Sequence, residues 1–302
     1  VVNAGAAITI EDTSGAGLTV TSGVLNDSGL GITTSGSTNN TLTLGSSGTL
    51  CLGGASGANT SATCDTSATS TTTRSLPSFA TYSLNSASTV IYLSDAATTV
   101  SGAPTYGNLK FMPVLTTGRT YTLGTMTING SFTINPNSSG ANALTVNGGG
   151  DITVASTGTT SVGRQGSNAT STLSLRPSST NYNLSSGFIS IGTGGTLTCV
   201  STSYTGTITL TGISGTLFTK TGTFTEGNST VTVTSASGSP TLLSASTTFY
   251  ILKIATTGAS VINAGATLVT DNTSGNKLWV NAGVFNMEGQ TITAGTAGKI
   301  GR

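Results

Sequence analysis

The opening of this chain returns near its end. Residues 1–34 and 261–294 align without a gap and are identical at 16 of 34 positions. Self-similarity at a fixed offset is typical of repeat architectures, in which each unit buries its apolar face against its neighbours. The match favours a repeat protein and places the first residue inside the tail of a module. We expect either that the chain was cut from a longer polypeptide or that a neighbouring subunit supplies the missing front half.

A second level of repetition lies inside the chain. The Ser-Thr-Val run at 88–90 returns at 229–231, and the pattern aromatic-x-x-Leu-Lys at 106–110 returns at 249–253. The sequence therefore predicts one continuous repeat array over the whole chain. Its predicted parts are a module tail (1–50), a loop-like insert (51–76), a module (77–154), a degenerate module (155–221) and a last module (222–302).

Short runs that alternate apolar residues with Thr, Ser or Asn recur along the chain. This period of two is typical of strands with one buried face, and no run has the 3.6-residue period of a helix. We predict an all-β fold, a right-handed parallel β-helix (β-solenoid) of about 15 coils with about 20 residues each. Tandem β-sandwich domains of about 100 residues are the alternative. Small residues and a single Trp favour the solenoid, because sandwich cores normally hold larger aromatic side chains.

The composition of the chain argues against several classes of function. Only 6% of the residues are charged, the net charge is +1 and the chain has no His. The sequence thus lacks the basic patch that a nucleic-acid partner requires, and no apolar stretch reaches the roughly 18 residues of a membrane span. Without His, Ser-His-Asp and Cys-His catalysis are excluded within the chain, so we do not expect an enzyme. No motif predicts a cofactor.

The acidic residues offer one weak metal site. Glu11 and Asp12 are the only adjacent carboxylates, and the long repeat aligns Asp271 with Glu11. Oxygen atoms in such turns can bind calcium. Asp and Asn also close Asx turns with their own side chains, and this structural interpretation is the one that we favour.

The cysteines give information about the redox environment in which the protein resides. Cys51 and Cys64 flank a segment of Gly, Ser, Ala, Asn and Thr whose length suits a loop-closing disulfide in an oxidising environment. Two small half-buried thiols are an equal alternative. Cys199 is then either a buried thiol or a link between subunits, and the spacing of the three residues does not suit a zinc site.

Two surface activities remain as minor alternatives. Thr-x-Thr runs suggest ice binding as one possible function, although Thr is also a good outward-facing strand residue. Polysaccharide cleavage would require a groove of carboxylates and basic side chains. The basic residues are scattered instead, and Lys110 and Lys253 occupy equivalent repeat positions. Such placement is typical of an exposed face on which charge discourages side-by-side association of sheets.

Several runs together resemble the repeats of long secreted bacterial surface proteins, which are adhesin-like or S-layer-like β-solenoids. The runs are S-T-V-x-Y (88–92), T-Y-x-N-L (105–109), N-G-S-F-T-I (129–134), T-F-Y-x-L (248–252) and N-A-G-V-F (281–285). The resemblance implies an extracellular or cell-surface location. It supplies no catalytic residues.

We therefore expect an extracellular structural protein, a subunit or segment of a bacterial surface filament or sheath. Uncapped solenoid ends expose strand edges, and head-to-tail stacking of copies through such edges gives open filaments. The partners would be copies of the same chain. The candidate self-association residues are Val1, Val2, Ile8, Ile10, Ile292 and Ile300. An adhesin or carbohydrate-binding module that contacts surface glycans is the alternative, and an ice-binding or polysaccharide-degrading β-helix ranks third.

Overall fold

Alternating sequence runs become short parallel strands throughout the part of the chain that is described. The computed structural model describes residues 1–54, 64, 70–138, 140–166, 168–175, 180–199, 205–257, 260–270, 275–293 and 298–301, with the backbone alone at 275, 276 and 298–301. These residues form 35 strands and no helix. Consequently none of them belongs to a helix that could span a bilayer.

The strands are short, because Gly, Asn and Ser interrupt the alternating runs every few residues. Those of the first half are β1 (Val2–Asn3), β2 (Ile8–Ile10), β3 (Gly17–Asn26), β4 (Ile32–Thr34), β5 (Thr41–Leu52), β6 (Thr81–Leu84), β7 (Thr89–Tyr92), β8 (Thr98–Val100), β9 (Thr105–Tyr106), β10 (Asn108–Phe111), β11 (Val114–Leu115), β12 (Arg119–Leu123), β13 (Met126–Ile128), β14 (Phe132–Ile134), β15 (Asn137–Ser138) and β16 (Ala143–Asn147). Those of the second half are β17 (Ile152–Val154), β18 (Thr159–Val162), β19 (Thr170–Ser174), β20 (Leu184–Ser186), β21 (Phe188–Ile191), β22 (Gly195–Thr198), β23 (Thr207–Leu210), β24 (Thr216–Lys220), β25 (Thr223–Thr225), β26 (Thr230–Val233), β27 (Thr241–Leu243), β28 (Thr247–Phe249), β29 (Ile251–Ala255), β30 (Val261–Asn263), β31 (Leu268–Thr270), β32 (Gly275–Ala282), β33 (Val284–Asn286), β34 (Ile292–Thr293) and β35 (Gly298–Gly301).

The chain divides into two compact units. The first unit comprises Val1–Asn147 and Arg164–Ser171, and the second comprises Gly148–Gly163 and Thr172–Arg302. In the first unit the strand orders are β1-β3-β5-β7-β10-β14 with β6 also on β5, β8-β12-β16, β9-β13, β2-β4 and β11-β15. In the second unit they are β18-β21-β24-β27-β30-β33, β17-β20-β23-β26-β29-β32-β35, β22-β25 and β28-β31-β34.

Every strand pair with a described register is parallel. Consecutive coils thus stack strand on strand, and the predicted all-β solenoid is confirmed. Parallel pairing also excludes the antiparallel sandwich alternative for these strands.

The solenoid has about 11 turns, fewer than the 15 or so expected from coils of about 20 residues. The difference arises because the number of residues between a strand residue and its partner in the next coil, here called the step, varies along the chain. The step from Thr89 to its partner Asn108 is close to the expected coil, whereas the step from Thr159 to Phe188 is clearly longer. The step from Thr49 to Thr89 is longer still, because the predicted insert intervenes. Connections of unequal length therefore lower the number of coils, while the strand runs themselves lie where the alternation predicts them.

The core consists of the inward-facing residues of each strand. In β26, for example, Val231 and Val233 are buried while the intervening Thr232 faces outward. Aromatic side chains stack from coil to coil inside both units, with ring centroids 5.3 Å apart for Phe111 and Phe132 and 5.9 Å apart for Phe218 and Phe249. These edge-to-face contacts add to the apolar area that each coil buries against the next.

Candidate functional site at the terminal coils

The predicted self-association residues all lie on strands of the two terminal coils or next to them. Val1 precedes β1 and Val2 lies on it, with 48% and 65% of their surfaces exposed. Ile8 and Ile10 on β2 are half-buried, and so is Ile292 on β34. Ile300 lies on β35, where the backbone alone is described.

The sequence repeat is also a repeat of strand pairing. In the first unit Val2 pairs with Leu25, and in the second unit their repeat equivalents, Ile262 and Phe285, pair in the same way. The same offset relates the pair β2-β4 to the pair β31-β34. The first two coils are therefore structural equivalents of the last two, with β1 corresponding to β30 and β3 to β33.

One turn conformation occurs in both terminal coils. Ser28 and Glu288, which are repeat equivalents, are the only described non-glycine residues with positive φ, at 53° and 49°. In each case a preceding Asn side chain holds the turn: Asn26 Oδ1 accepts the Ser28 N–H at 3.1 Å, and Asn286 Oδ1 accepts the Glu288 N–H at 3.2 Å. This Asx-type bond makes the left-handed conformation tolerable for residues that have a Cβ.

The same asparagines form ladders along the stacking direction. Asn26 Nδ2 donates to Asn3 Oδ1 at 3.1 Å, and Asn286 Nδ2 donates to Asn263 Oδ1 at 3.0 Å. Stacked Asn side chains fix the register of neighbouring coils, because a shift by one residue would break the bond. Asn residues at the repeated turns of a solenoid are expected to stack in such ladders, although the sequence did not identify these particular pairs. The sequence did contain a signal for these ladders. Asn is conserved between the two copies at both positions of the pair, and the paired asparagines have the same separation along the chain in each copy.

Each terminal coil has a strand edge that no described strand covers. β1 pairs with β3 alone and β33 pairs with β30 alone among the described strands. The Val284 N–H donates to Ser260 O, and Asn286 O accepts from Ala264 N. Because successive residues of a strand direct their polar groups to opposite sides, the Phe285 N–H and C=O point to the uncovered edge.

Exposed apolar side chains concentrate at the same edges. Six large hydrophobic residues are exposed among the described residues, and three of them are Val1, Val2 and Val284. The other three are Leu30, Ile213 and Trp279. A cluster of exposed apolar residues on an uncovered strand edge is the usual sign of an interaction surface.

The Glu11 and Asp12 pair lies beside the loop that follows β4. Asp12 Oδ1 accepts the backbone N–H groups of Thr38 and Asn39 at 2.9 and 2.7 Å, and Asp12 Oδ2 accepts the Thr38 hydroxyl at 2.7 Å. These bonds, with the Asn39 N–H first, hold the pKa of Asp12 below its usual value. Glu11 Oε2 accepts the Ser35 hydroxyl at 3.3 Å.

These contacts show Asp12 as an acceptor of N–H groups in the next coil, whereas an Asx turn would bond its side chain to its own turn, so the turn interpretation stays a prediction. No group of three or more His, Cys, Asp or Glu residues is placed to hold a metal ion in the described part of the chain. Asp271, the third calcium candidate, lies outside the described residues. Calcium binding by this set stays a prediction.

The structure joins Cys51 and Cys64 in a disulfide, with their Cα atoms 6.0 Å apart. Both residues belong to a buried cluster that also holds Val24, Ile91 and Leu93. The disulfide therefore links Cys64 to the end of β5 in the interior of the first unit. Cys199 is a fully buried thiol.

No family model, no curated protein and no solved structure matches this chain significantly.

Proposed function

We propose that this chain is a structural element of an extracellular bacterial filament or sheath, in which copies stack head-to-tail through the uncovered edges of their terminal coils. The observation that carries the proposal is that the first two and the last two coils share their pairing, turn conformation and Asn ladder. Because both ends have the same strand register, one copy can continue the parallel stack of the next.

The register of the junction follows from the contacts inside the chain. Asn263 N donates to Pro240 O of the preceding coil at 3.0 Å. Asn3 is the equivalent of Asn263, so in the assembly the Asn3 N–H of the next copy donates to Phe285 O. Likewise Asp27 N donates to Cys51 O at 3.1 Å, and its equivalent Met287 would donate to Asn3 O.

Side chains reinforce this register. Asn3 Nδ2 of the next copy reaches Asn286 Oδ1, and the asparagine ladder then continues across the junction. Val1 of the next copy faces Val284, so two of the exposed apolar residues cover each other. Ile8 of the next copy faces Ile292, as it faces Ile32 within the chain. Because apolar burial and strand pairing hold the junction, salt should not weaken association, since it screens only charge-based contacts.

The extracellular location rests on the disulfide and on the resemblance to secreted surface repeats. A disulfide persists in oxidising compartments and is rare in a reducing cytosol. Copies of the chain are the proposed partners.

The test is a proline at the uncovered edge. Phe285→Pro removes an N–H that faces away from β30, so the internal pairing keeps its bonds while the junction loses a donor and meets the proline ring. We expect light scattering and electron microscopy to show concentration-dependent filaments for the natural chain and particles of a single chain for the variant. The matched control is Phe285→Ala, which loses the ring but keeps the N–H and should still polymerise. A natural chain that stays monomeric at high concentration, or a proline variant that polymerises equally well, would contradict the proposal.

A further inference from the structure

A shallow groove of about 300 Å³ lies on the outward face of β26, β29 and β32 in the second unit. Its lining is Thr230, Ile251, Lys253, Trp279 and Asn281. These side chains face outward because strand side chains alternate and the adjacent Leu252 and Leu278 point into the core. The parallel register places Lys253 directly opposite Trp279, so a cation and an indole ring are neighbours on this face.

The indole of Trp279 is an uncommon feature on this surface. It is the only Trp in the chain, and 37% of its surface is exposed. An aromatic ring held on a rigid strand offers a flat apolar face at little entropic cost. Thr230 and Asn281 add a hydroxyl and an amide within the same groove, which suits a ligand that has both C–H faces and hydroxyl groups.

The charge of the groove comes from Lys253. Asp95–Arg119 is the one ion pair among the described residues, so no described carboxylate neutralises Lys253. The neighbouring Lys277 is buried, and its Nζ lies 3.5 Å from the centroid of the Tyr250 ring. Lys253 is therefore the only cation among the lining residues of the groove, and it favours an anion.

We propose that the groove around Trp279 binds an acidic saccharide. One sugar ring stacks its C–H face on the indole, its carboxylate pairs with the Lys253 ammonium, and its hydroxyls bond to Asn281 and Thr230. The groove volume lies at the lower end of the roughly 300–1,000 Å³ of small-molecule sites, which suits one or two sugar units. This site does not depend on head-to-tail assembly, because its residues lie on the outward face of the sheet.

The experiment uses Trp279 as its own reporter. The purified chain is titrated with oligogalacturonate, with the same oligomer as its methyl ester, and with polyacrylate as a polyanion that has no sugar ring. We expect a saturable change in tryptophan fluorescence with oligogalacturonate and binding about tenfold weaker for the neutral ester. Lys253→Gln should lower the affinity for oligogalacturonate to that of the ester.

Two variants complete the test. Lys110→Gln changes the repeat equivalent of Lys253, which has no Trp beside it, and should leave binding unchanged. Trp279→Ala, followed by calorimetry and checked for folding by circular dichroism, should abolish binding of both oligomers. The proposal is overturned if oligogalacturonate gives no saturable signal, if polyacrylate binds equally well, or if Lys253→Gln has the same affinity as the natural chain.

Discussion

The two units fill their interiors differently. The first unit buries two carboxylates, Asp27 and Asp95, together with tyrosines whose hydroxyls find partners inside. Burial raises the pKa of Tyr92 to about 12, and its hydroxyl lies 3.5 Å from that of Tyr106. In the second unit the largest fully buried side chains are Phe218 and Phe249, and no described acid is fully buried.

A long connection accounts for the buried Asp27 of the first unit. The first unit contains the long step from Thr49 to its partner Thr89, whereas β26 and β29 of the second unit follow each other after a short connection. Where coils are irregular, backbone N–H groups leave the ladder and need side-chain acceptors. Asp27 Oδ1 accepts two of them, from Gly29 at 2.9 Å and from Gly53 at 2.8 Å. The second unit also buries polar side chains, such as Ser229 and Ser260, but no described carboxylate.

The largest expected effect comes from leaving a buried charge alone in the first unit. Asp95 has a side chain only 1% exposed, and its Oδ1 accepts the Arg119 Nε–H at 2.8 Å. Arg119→Met should lower the free energy of unfolding by about 3–5 kcal/mol, because the carboxylate loses its counter-charge in a dry site. Hydrogen exchange by mass spectrometry should show faster exchange around β8 and β12.

The matched control restores neutrality. In the double variant Arg119→Met/Asp95→Asn, the amide oxygen can still accept the Thr116 N–H, which donates to Asp95 Oδ2 at 3.0 Å. Most of the lost protection should return. If the double variant exchanges as fast as Arg119→Met, the buried charge is not the cause and the proposed contrast between the units fails.

The second effect concerns the disulfide of the first unit. Cys51 and Cys64 are separated by 13 positions along the chain, and opening this loop should cost about 3 kcal/mol of unfolding free energy. Cys51→Ala/Cys64→Ala should therefore lower the urea midpoint of the first unit, with Cys199→Ala as the control that removes a buried thiol but no cross-link. An unchanged midpoint in the double variant would show that packing alone holds this segment.

The sequence alone predicted the strands and their repetition but not the individual side-chain contacts. The alternating runs predicted the strands, and the repeat between 1–34 and 261–294 predicted equivalent strand pairs at the two ends. The pair Asp95 and Arg119 left no sequence signal, because it joins residues 24 positions apart on neighbouring coils and only the register of these coils brings them together. The groove at Trp279 was missed for the same reason, since only the register places Lys253 beside it. Period and composition therefore predict strands, whereas connection lengths decide which side chains meet.

The smallest expected effect is on the pH dependence of stability, to which Asp27 and Asp12 contribute with opposite signs. Burial raises the pKa of Asp27 above its usual 3.8, although the N–H groups of Gly29 and Gly53 act against the shift. The folded state thus binds a proton more tightly than the unfolded chain, and stability falls as the pH rises from about 3.8 through the raised pKa. Asp12 has a lowered pKa, so its contribution is present above 3.8 and is lost as the pH falls through the folded value.

Asp27→Asn separates these two contributions. The amide oxygen still accepts from Gly29 and Gly53, and the amide nitrogen takes the place of Oδ2, which has no hydrogen-bond partner among the described residues. We expect the variant to be more stable than the natural chain at pH 7 and to lose the decline above pH 3.8, while the acid-side decline persists until Asp12→Asn is added. Urea midpoints between pH 3 and 8 measure both the decline of stability above pH 3.8 and the decline on the acid side. A variant less stable than the natural chain at pH 7 would mean that the Asp27 charge stabilises this irregular coil, and the polar interior of the first unit would then be electrostatic in origin.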